Sequence, residues 1–174
     1  MINTKEIIVF AVVAFQLLAP CVEAENVVSD KEALQGIQQI GVKTGEISPV
    51  AKKIGVDREY LRRKIGLQLG SAGINVVTPE ELESNREIPY LLTTVLVSCS
   101  KSTYSYVVMI GLNEKVHLAR DPKIIAYATP WWRIVKGEHF DRQEIVKEVD
   151  KTLIKLLNEF AKDYLAVNPN KTIE

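Results

Sequence analysis

The sequence predicts an α+β fold: a two-layer sandwich with a mostly antiparallel sheet of about five strands and two main helices packed on one face. Three observations predict it. The first is the stretch Tyr104 to Arg120. Its even positions, Tyr104, Tyr106, Val108, Ile110 and Leu112, then Val116 and Leu118, are apolar, with one break at Glu114. Its odd positions are mixed, so one face is buried and the other partly wet. The second is a pair of segments, 57–72 and 141–167, whose apolar residues recur at helical spacing. The third is the element order: strand, helix, strand, three more strands, helix, with no internal repeat.

Taken in order, Ile40, Val42 and Thr44 alternate with Gln39, Gly41 and Lys43 and read as a first strand, weakened by Gly41. Ser48-Pro49 starts a short helix that ends by Gly55, with a capping hydroxyl followed by proline at the first helical position. Asp57 caps a longer helix to about Ala72, with Leu61, Ile65, Leu69 and Ala72 on one stripe and Gly73 as its stop. Ile74 to Val77 reads as a short strand. Thr78-Pro79-Glu80-Glu81 is a capping box that opens a short helix.

Pro89-Tyr90 begins a strand through Val97 whose two faces are both fairly apolar, which places it centrally. The loop 98–102 is short, so this strand pairs antiparallel with the long one. Asp121-Pro122 interrupts the ladder. Ile124 to Thr129 is a further strand that Pro130 ends or confines to an edge. Asp141 and Glu144 form a second capping box at the start of the longest helix, to about Val167. That helix carries Ile145, Val149, Leu153, Leu156, Leu157, Phe160 and Tyr164 on its apolar stripe. Burying even six such side chains gains on the order of 10 kcal/mol before entropy is subtracted.

The chain has 174 residues, with 22 basic and 22 acidic side chains. That balance carries no nucleic-acid footprint and no polybasic membrane patch. The start of the chain reads differently. Lys5 precedes the apolar run from Ile7 to Ala19, and Val22 and Ala24 sit at the −3 and −1 places of a cleavage site before Glu25. Residues 1–24 are therefore expected to be a secretory signal peptide. The run is too short for a comfortable mature membrane span. Leu18-Ala19-Pro20-Cys21 resembles a bacterial lipobox, in which Cys21 is lipidated; Pro20 departs from it, so lipidation is the less favoured reading.

The remaining organisation is a flexible N-terminus at 25–33, a single domain at 34–169 and a polar tail at 170–174. Removing residues 1–24, which hold Lys5, Glu6 and Glu23, leaves 150 residues with 21 basic and 20 acidic side chains. Cys99 is the one cysteine left, so no internal disulfide forms and the apolar core alone holds the fold.

The residues Leu34-x-Gly36-Ile37, Ala72-Gly73-Ile74, Pro89-Tyr90-Leu91, Arg120, Ala128-Thr129 to Trp132, and Asp163-Tyr164-Leu165-Ala166-Val167-Asn168-Pro169 resemble a group of uncharacterised small secreted bacterial proteins. The likeness spans most of the chain after residue 24. It implies secretion and fold, and brings no activity with it. The element order is also similar to the N-terminal domain of the periplasmic protein TolB, a likeness of topology without a shared motif.

Chemistry is sparse. His117 and His139 lack a further His, Cys or carboxylate at ligand spacing, so neither a metal site nor any other cofactor is expected. No phosphate loop, dinucleotide fingerprint, serine elbow or zinc-protease motif occurs. Cys99 is the one candidate nucleophile, but hairpin pairing places His117 far from it, and a buried or incidental cysteine is the plainer reading. Arg58, Arg62, Arg63 and Lys64 read as a solvated helix face rather than a phosphate site. Glu114 is either a buried acid paired with Arg120 or a helix lysine, or marks a bulge that lets it reach solvent; the second is preferred. Asn170-Lys171-Thr172 matches a glycosylation sequon, which a bacterial chain does not use.

Trp131 and Trp132 are the most suggestive pair. One is expected to cap the core and the other to stack on a ligand or anchor a partner, with Val107 and Met109 extending the patch near Ile125 and Tyr127. The functional expectation is an exported, non-enzymatic protein of a bacterial envelope, periplasmic or extracellular. It acts through contacts with another envelope protein or with itself. The alternative is a carrier of a small apolar or amphiphilic ligand held between helices and sheet near the tryptophans.

Overall fold

The computed structural model describes residues 30–169. The signal peptide, its cleavage between Ala24 and Glu25, lipidation of Cys21, and the tail with its sequon all lie outside the described residues. Of the segment 25–33, residues 30–33 are described. They enter a 3-10 turn, Glu32–Leu34, whose Leu34 is fully buried.

Four strands form one sheet in the order β1-β2-β3-β4. They are β1 (Gly41–Ile47), β2 (Tyr90–Ser100), β3 (Thr103–Leu118) and β4 (Asp121–His139). β1 runs parallel to β2, and the other two pairings are antiparallel. The helices are α1 (Pro49–Lys53), α2 (Arg58–Ser71), α3 (Pro79–Ser84) and α4 (Arg142–Val167). α2 and α4 pack together on one face of the sheet, giving the two-layer α+β sandwich.

The sheet has four strands rather than five. Residues 74–77 contribute only an isolated parallel bridge, Ile40 to Val76, with Ile40 N–H donating to Asn75 O and Val77 N–H to Ile40 O. The segment is squeezed between the end of α2 and the cap of α3, and too few residues remain to build a ladder. The last strand is longer than the sequence suggests. β4 runs straight through Pro130, which is tolerated because β4 is an edge strand and Pro130 sits at a bulge.

The helix starts follow local chemistry. Ser48 Oγ accepts from Ala51 N–H and also bonds Val97 N–H and O, stitching α1 to β2. Asp57 Oδ1 accepts from Tyr60 N–H at 2.8 Å. Thr78 and Glu81 complete a reciprocal box, at 3.2 and 2.8 Å. At α4 the box is only half made. Asp141 Oδ1 accepts from Gln143 and Glu144 N–H, but Asp141 N–H donates to His139 Nδ1 and the Glu144 carboxylate turns to Lys147.

The core lies between the helices and the inner sheet face. Leu91 and Val95 of β2, Val108, Ile110 and Leu112 of β3, and Trp131 of β4 are fully buried against Leu61, Ile65 and Leu69 of α2 and the apolar stripe of α4. The end of α4 closes one side as a latch. Asn168 Nδ2 donates to Leu34 O and Tyr164 O, its Oδ1 accepts from Gly36 N–H, and the Tyr164 hydroxyl donates to Ile37 O at 2.7 Å. Gly36 has φ +80°, a conformation that favours glycine. Two of the motifs that carry the resemblance, Leu34 to Ile37 and Asp163 to Pro169, thus meet in one structural contact.

Replacing Asn168 with Ala removes this clamp and should cost about 2 kcal/mol, given roughly 1 kcal/mol per hydrogen bond. Urea unfolding reads it as a lower midpoint with unchanged slope; a change under about 0.5 kcal/mol contradicts the latch. Thr93 gives the opposite sign. Its side chain is fully buried on the inner face, and its hydroxyl has no hydrogen-bond partner among the described residues. Thr93→Val keeps the shape, loses the unpaired polar atom and should gain about 1 kcal/mol in the same assay.

Candidate functional site

The facing of β4 is set by one irregularity in its pairing with β3. Leu112 pairs with Trp131, and Glu114 pairs with Ala128. Two steps along β3 thus match three along β4, which leaves one extra residue at Thr129-Pro130 opposite Asn113. Before it, Ile125, Tyr127 and Thr129 point away from the helices; after it, Trp132, Ile134 and Lys136 do. The parity change turns Trp131 inward.

Trp131 is fully buried and takes the core-capping place. Its ring meets Phe160 edge-on, with centroids 4.9 Å apart. Its Nε1–H donates to Asp163 Oδ2 at 3.1 Å, and the Arg133 guanidinium lies over its ring at 4.9 Å. Arg133 also reaches Asp163 at 3.5 Å and Asp30 at 3.1 Å, so the indole is enclosed by apolar packing below and an ion-pair network above. A buried indole needs such a partner for its N–H.

Trp132 is 52% exposed on the opposite face, beside Tyr127 at 56%, Ile134 at 51% and Ile125 at 49%. Met109 pairs across the strands with Ile134, and Val107 with Lys136; both are half-buried on this outer face. Leu92, Thr94 and Leu96 of β2 continue the face. Gly111 lies opposite Trp132 and has no side chain to fill the space above it. A Cβ there would stand 2.8 Å from Thr129 Cγ2. The result is a shallow, mostly apolar depression of about 390 Å³ with Leu92, Met109, Gly111, Asn113, Thr129 and Trp132 around it. Asn113 Oδ1 accepts from the Thr129 hydroxyl at 3.1 Å and firms one wall.

All four residues expected to bind therefore belong to the Trp131–Trp132 segment or the strand beside it, but on two faces. Trp132, Val107 and Met109 share the outer one; Trp131 lies inside. The sequence reading did not single out Ile134, Leu92 or Gly111. The signal for Ile134 was present as Trp132-x-Ile134, but only the bulge reveals which parity faces out.

The other candidates separate. Cys99 pairs with Tyr104 at one end of β3 and is exposed there, at the turn end of the hairpin, rather than buried; His117 pairs with Ile125 at the other end. His117 Nδ1 sits 2.6 Å from Pro122 O. Among the described residues no three His, Cys, Asp or Glu side chains group as metal ligands. In the basic cluster, Arg62 pairs with Glu59, and Lys64 joins Asp150 and the Tyr60 hydroxyl in a bridge from α2 to α4. A second, more polar cleft of about 510 Å³ lies next to the patch, where Lys43 stands 4.2 Å over the Tyr90 ring and Tyr127 forms the shared wall. Burial, and then the neighbouring Tyr127, push the Tyr90 phenol above its usual range.

Glu114 stands at the bulge, half-buried and in no ion pair among the described residues. Burial raises its pKa above the ordinary 4.5. The folded state thus disfavours the carboxylate. Stability is full below the ordinary value and falls as pH rises through it to the raised one. Glu114→Gln should abolish that fall, so its melting temperature should gain on the wild type between acid and neutral pH. A difference independent of pH would contradict this.

No family model matches the sequence, and no curated protein matches it significantly. Among solved structures, the chain is similar to a minor lipoprotein from Acinetobacter baumannii, at 6% identity and TM-score 0.31, over 76% of this chain and 94% of that one. It is similar to an uncharacterised protein at 14% identity and TM-score 0.35, over 72% and 87%. It is also similar to the PelC dodecamer from Paraburkholderia phytofirmans at 14% identity and TM-score 0.36, over 76% and 89%. Likenesses of this size transfer neither fold nor function to the chain. Among the described residues no helix is long and apolar enough to cross a membrane.

Proposed function

We propose that this chain is an exported, non-enzymatic protein of a bacterial cell envelope that docks another protein on the open face of its sheet. One observation carries the reading: the two long helices cover one face of the sheet, α3 covers only the β1 corner of the other through Leu82 against Gly41, and the rest of that face presents Trp132, Ile134, Tyr127 and Ile125 to solvent. Clustered, half-exposed aromatic and aliphatic side chains on a rigid strand pair favour docking, because little conformational entropy is lost when they are covered. Export rests on the N-terminal run and cleavage pattern, with the mature chain beginning at Glu25 in the periplasm or outside the cell. Lipidation at Cys21 is the less favoured form. The topological likeness to the N-terminal domain of TolB belongs with this reading.

The carrier reading shifts position. The space beside Trp131 between helices and sheet is filled by Phe160 and Tyr164. A small amphiphile would instead lie in the depression over Gly111.

A photo-reactive side chain placed at position 132, in the chain expressed in its own envelope, tests the docking reading. Protein adducts should form there and not from a control at Lys151, which is exposed on the far side of α4. No adduct from position 132, or equal yields from both, would overturn the reading. Extra mass of a few hundred daltons released on denaturation would favour the carrier.

A further inference from the structure

We infer that the polar cleft between α3 and the Tyr90–Tyr127 pair binds a small organic anion with a flat, ring-sized body, such as an aryl carboxylate or an aryl phosphate. The inference goes beyond the docking reading and does not rest on it. Of the residues lining the cleft, only Tyr127 belongs to the exposed patch.

The cleft is built on a missing side chain. Gly41 pairs with Tyr90, and Lys43 with Leu92, on the outer face of β1 and β2. Leu82 of α3 lies directly on Gly41: a Cβ there would stand 2.5 Å from Leu82 Cδ1. α3 therefore rests on the β1 corner, and the chain returns to β2 through residues 85–89. That return is tied down. Asn85 Oδ1 accepts from Glu87 N–H at 3.0 Å, the Glu87 carboxylate pairs with Lys115 of β3, and Ile88 is buried. Between this wall and the two tyrosines lies a cavity of about 510 Å³, lined also by Leu82 and Ile88. Ligand sites span about 300–1,000 Å³, and a wall fixed beforehand spares the cost of ordering it on binding.

Charge selects an anion. Lys43 and Arg86 line the cleft, with Glu83 as its one carboxylate. Both cations are exposed, and neither forms an ion pair among the described residues. The Lys43 ammonium stands 4.2 Å over the Tyr90 ring, a contact that holds the charge in place without neutralising it. Arg86 offers a planar fork that takes two oxygens of a carboxylate or phosphate at once.

Aromatic surface selects the body. The Tyr90 and Tyr127 rings lie 6.3 Å apart at 60°, so a flat body can lie against the face of one and meet the other at its edge. Neither hydroxyl makes a hydrogen bond among the described residues. Burial, and then Tyr127, hold the Tyr90 phenol protonated above its usual range, so it is a donor to an anion and not a competing charge. An organic cation would face Lys43 and Arg86 together, and a neutral ring would use neither.

Phenyl phosphate titrated into the isotope-labelled chain from Glu25 onward, which contains every described residue, tests the inference. Amide shifts at Lys43, Arg86, Tyr90 and Tyr127 should saturate together with a dissociation constant of about 1 mM or tighter, while Lys151 stays still. Benzoate in parallel separates the head groups, and the tighter of the two probes names the anion. Benzyl alcohol, a similar ring without charge, and inorganic phosphate, the charge without a ring, should each bind at least about tenfold more weakly than phenyl phosphate. Lys43→Gln and Arg86→Gln should each weaken phenyl phosphate about tenfold with an unchanged melting temperature, because both side chains are exposed. No saturation by either anion up to about 20 mM, shifts centred on Gly111 and Trp132, equal binding of benzyl alcohol, or indifference to both substitutions would each overturn the inference. The docking reading fails separately, through the absence of adducts from position 132, which leaves this cleft untouched.

Discussion

The extra residue of β4 opposite Asn113 sets the facing of the side chains on either side of it, from Ile125 to Lys136. Side chains alternate along a strand, so one inserted residue exchanges the two faces from that point on. With the bulge, Trp131 enters the core against Phe160 and Trp132 faces solvent over Gly111. Without it, Trp131 would continue the outward row of Ile125, Tyr127 and Thr129, and Arg133 would follow it away from Asp163. The core cap, the ion-pair network over it and the apolar patch on the far side are three consequences of one backbone irregularity.

The same region is tied to the chain ends. Asp163 of α4 holds the Trp131 indole and Arg133, and Arg133 holds Asp30. The adjacent Tyr164, and Asn168 about one turn further on, hold the backbone of 34–37. The end of α4 therefore fastens the entry of the domain and the middle of its edge strand together. The polar atoms of Asp163, Tyr164 and Asn168 and of the backbone at 34–37 are thus spent on fastening the fold.

Much of the architecture was legible because it rests on local signals. The capping residues Ser48, Asp57, Thr78 and Asp141 mark their helices. The alternation in 104–118 marks the central strand and its buried face. Where the reading failed, non-local facts decide. Ile74 to Val77 has strand composition, but a ladder needs a partner of matching length, and only Ile40 offers a bridge. Pro130 looks like a strand end until its place at an edge and a bulge is known. The candidate site was half legible for the same reason. The Trp131-Trp132 doublet is symmetric to a period-two reading, and its neighbours Arg133 and Ile134 do not break the tie. Glu114 gave the one hint, a charge at the point where β3 meets the bulge.

The facing of the two indoles is the claim on which the rest depends. It is tested most directly by acrylamide quenching of tryptophan fluorescence in a Trp132→Phe variant. Only Trp131 then emits. The account predicts blue-shifted emission that is quenched several-fold less readily than in the wild type, as for an indole sealed from water. Emission quenched as readily as that of a free indole would place Trp131 at the surface. The bulge, the buried cap and the outward patch would then all be wrong together.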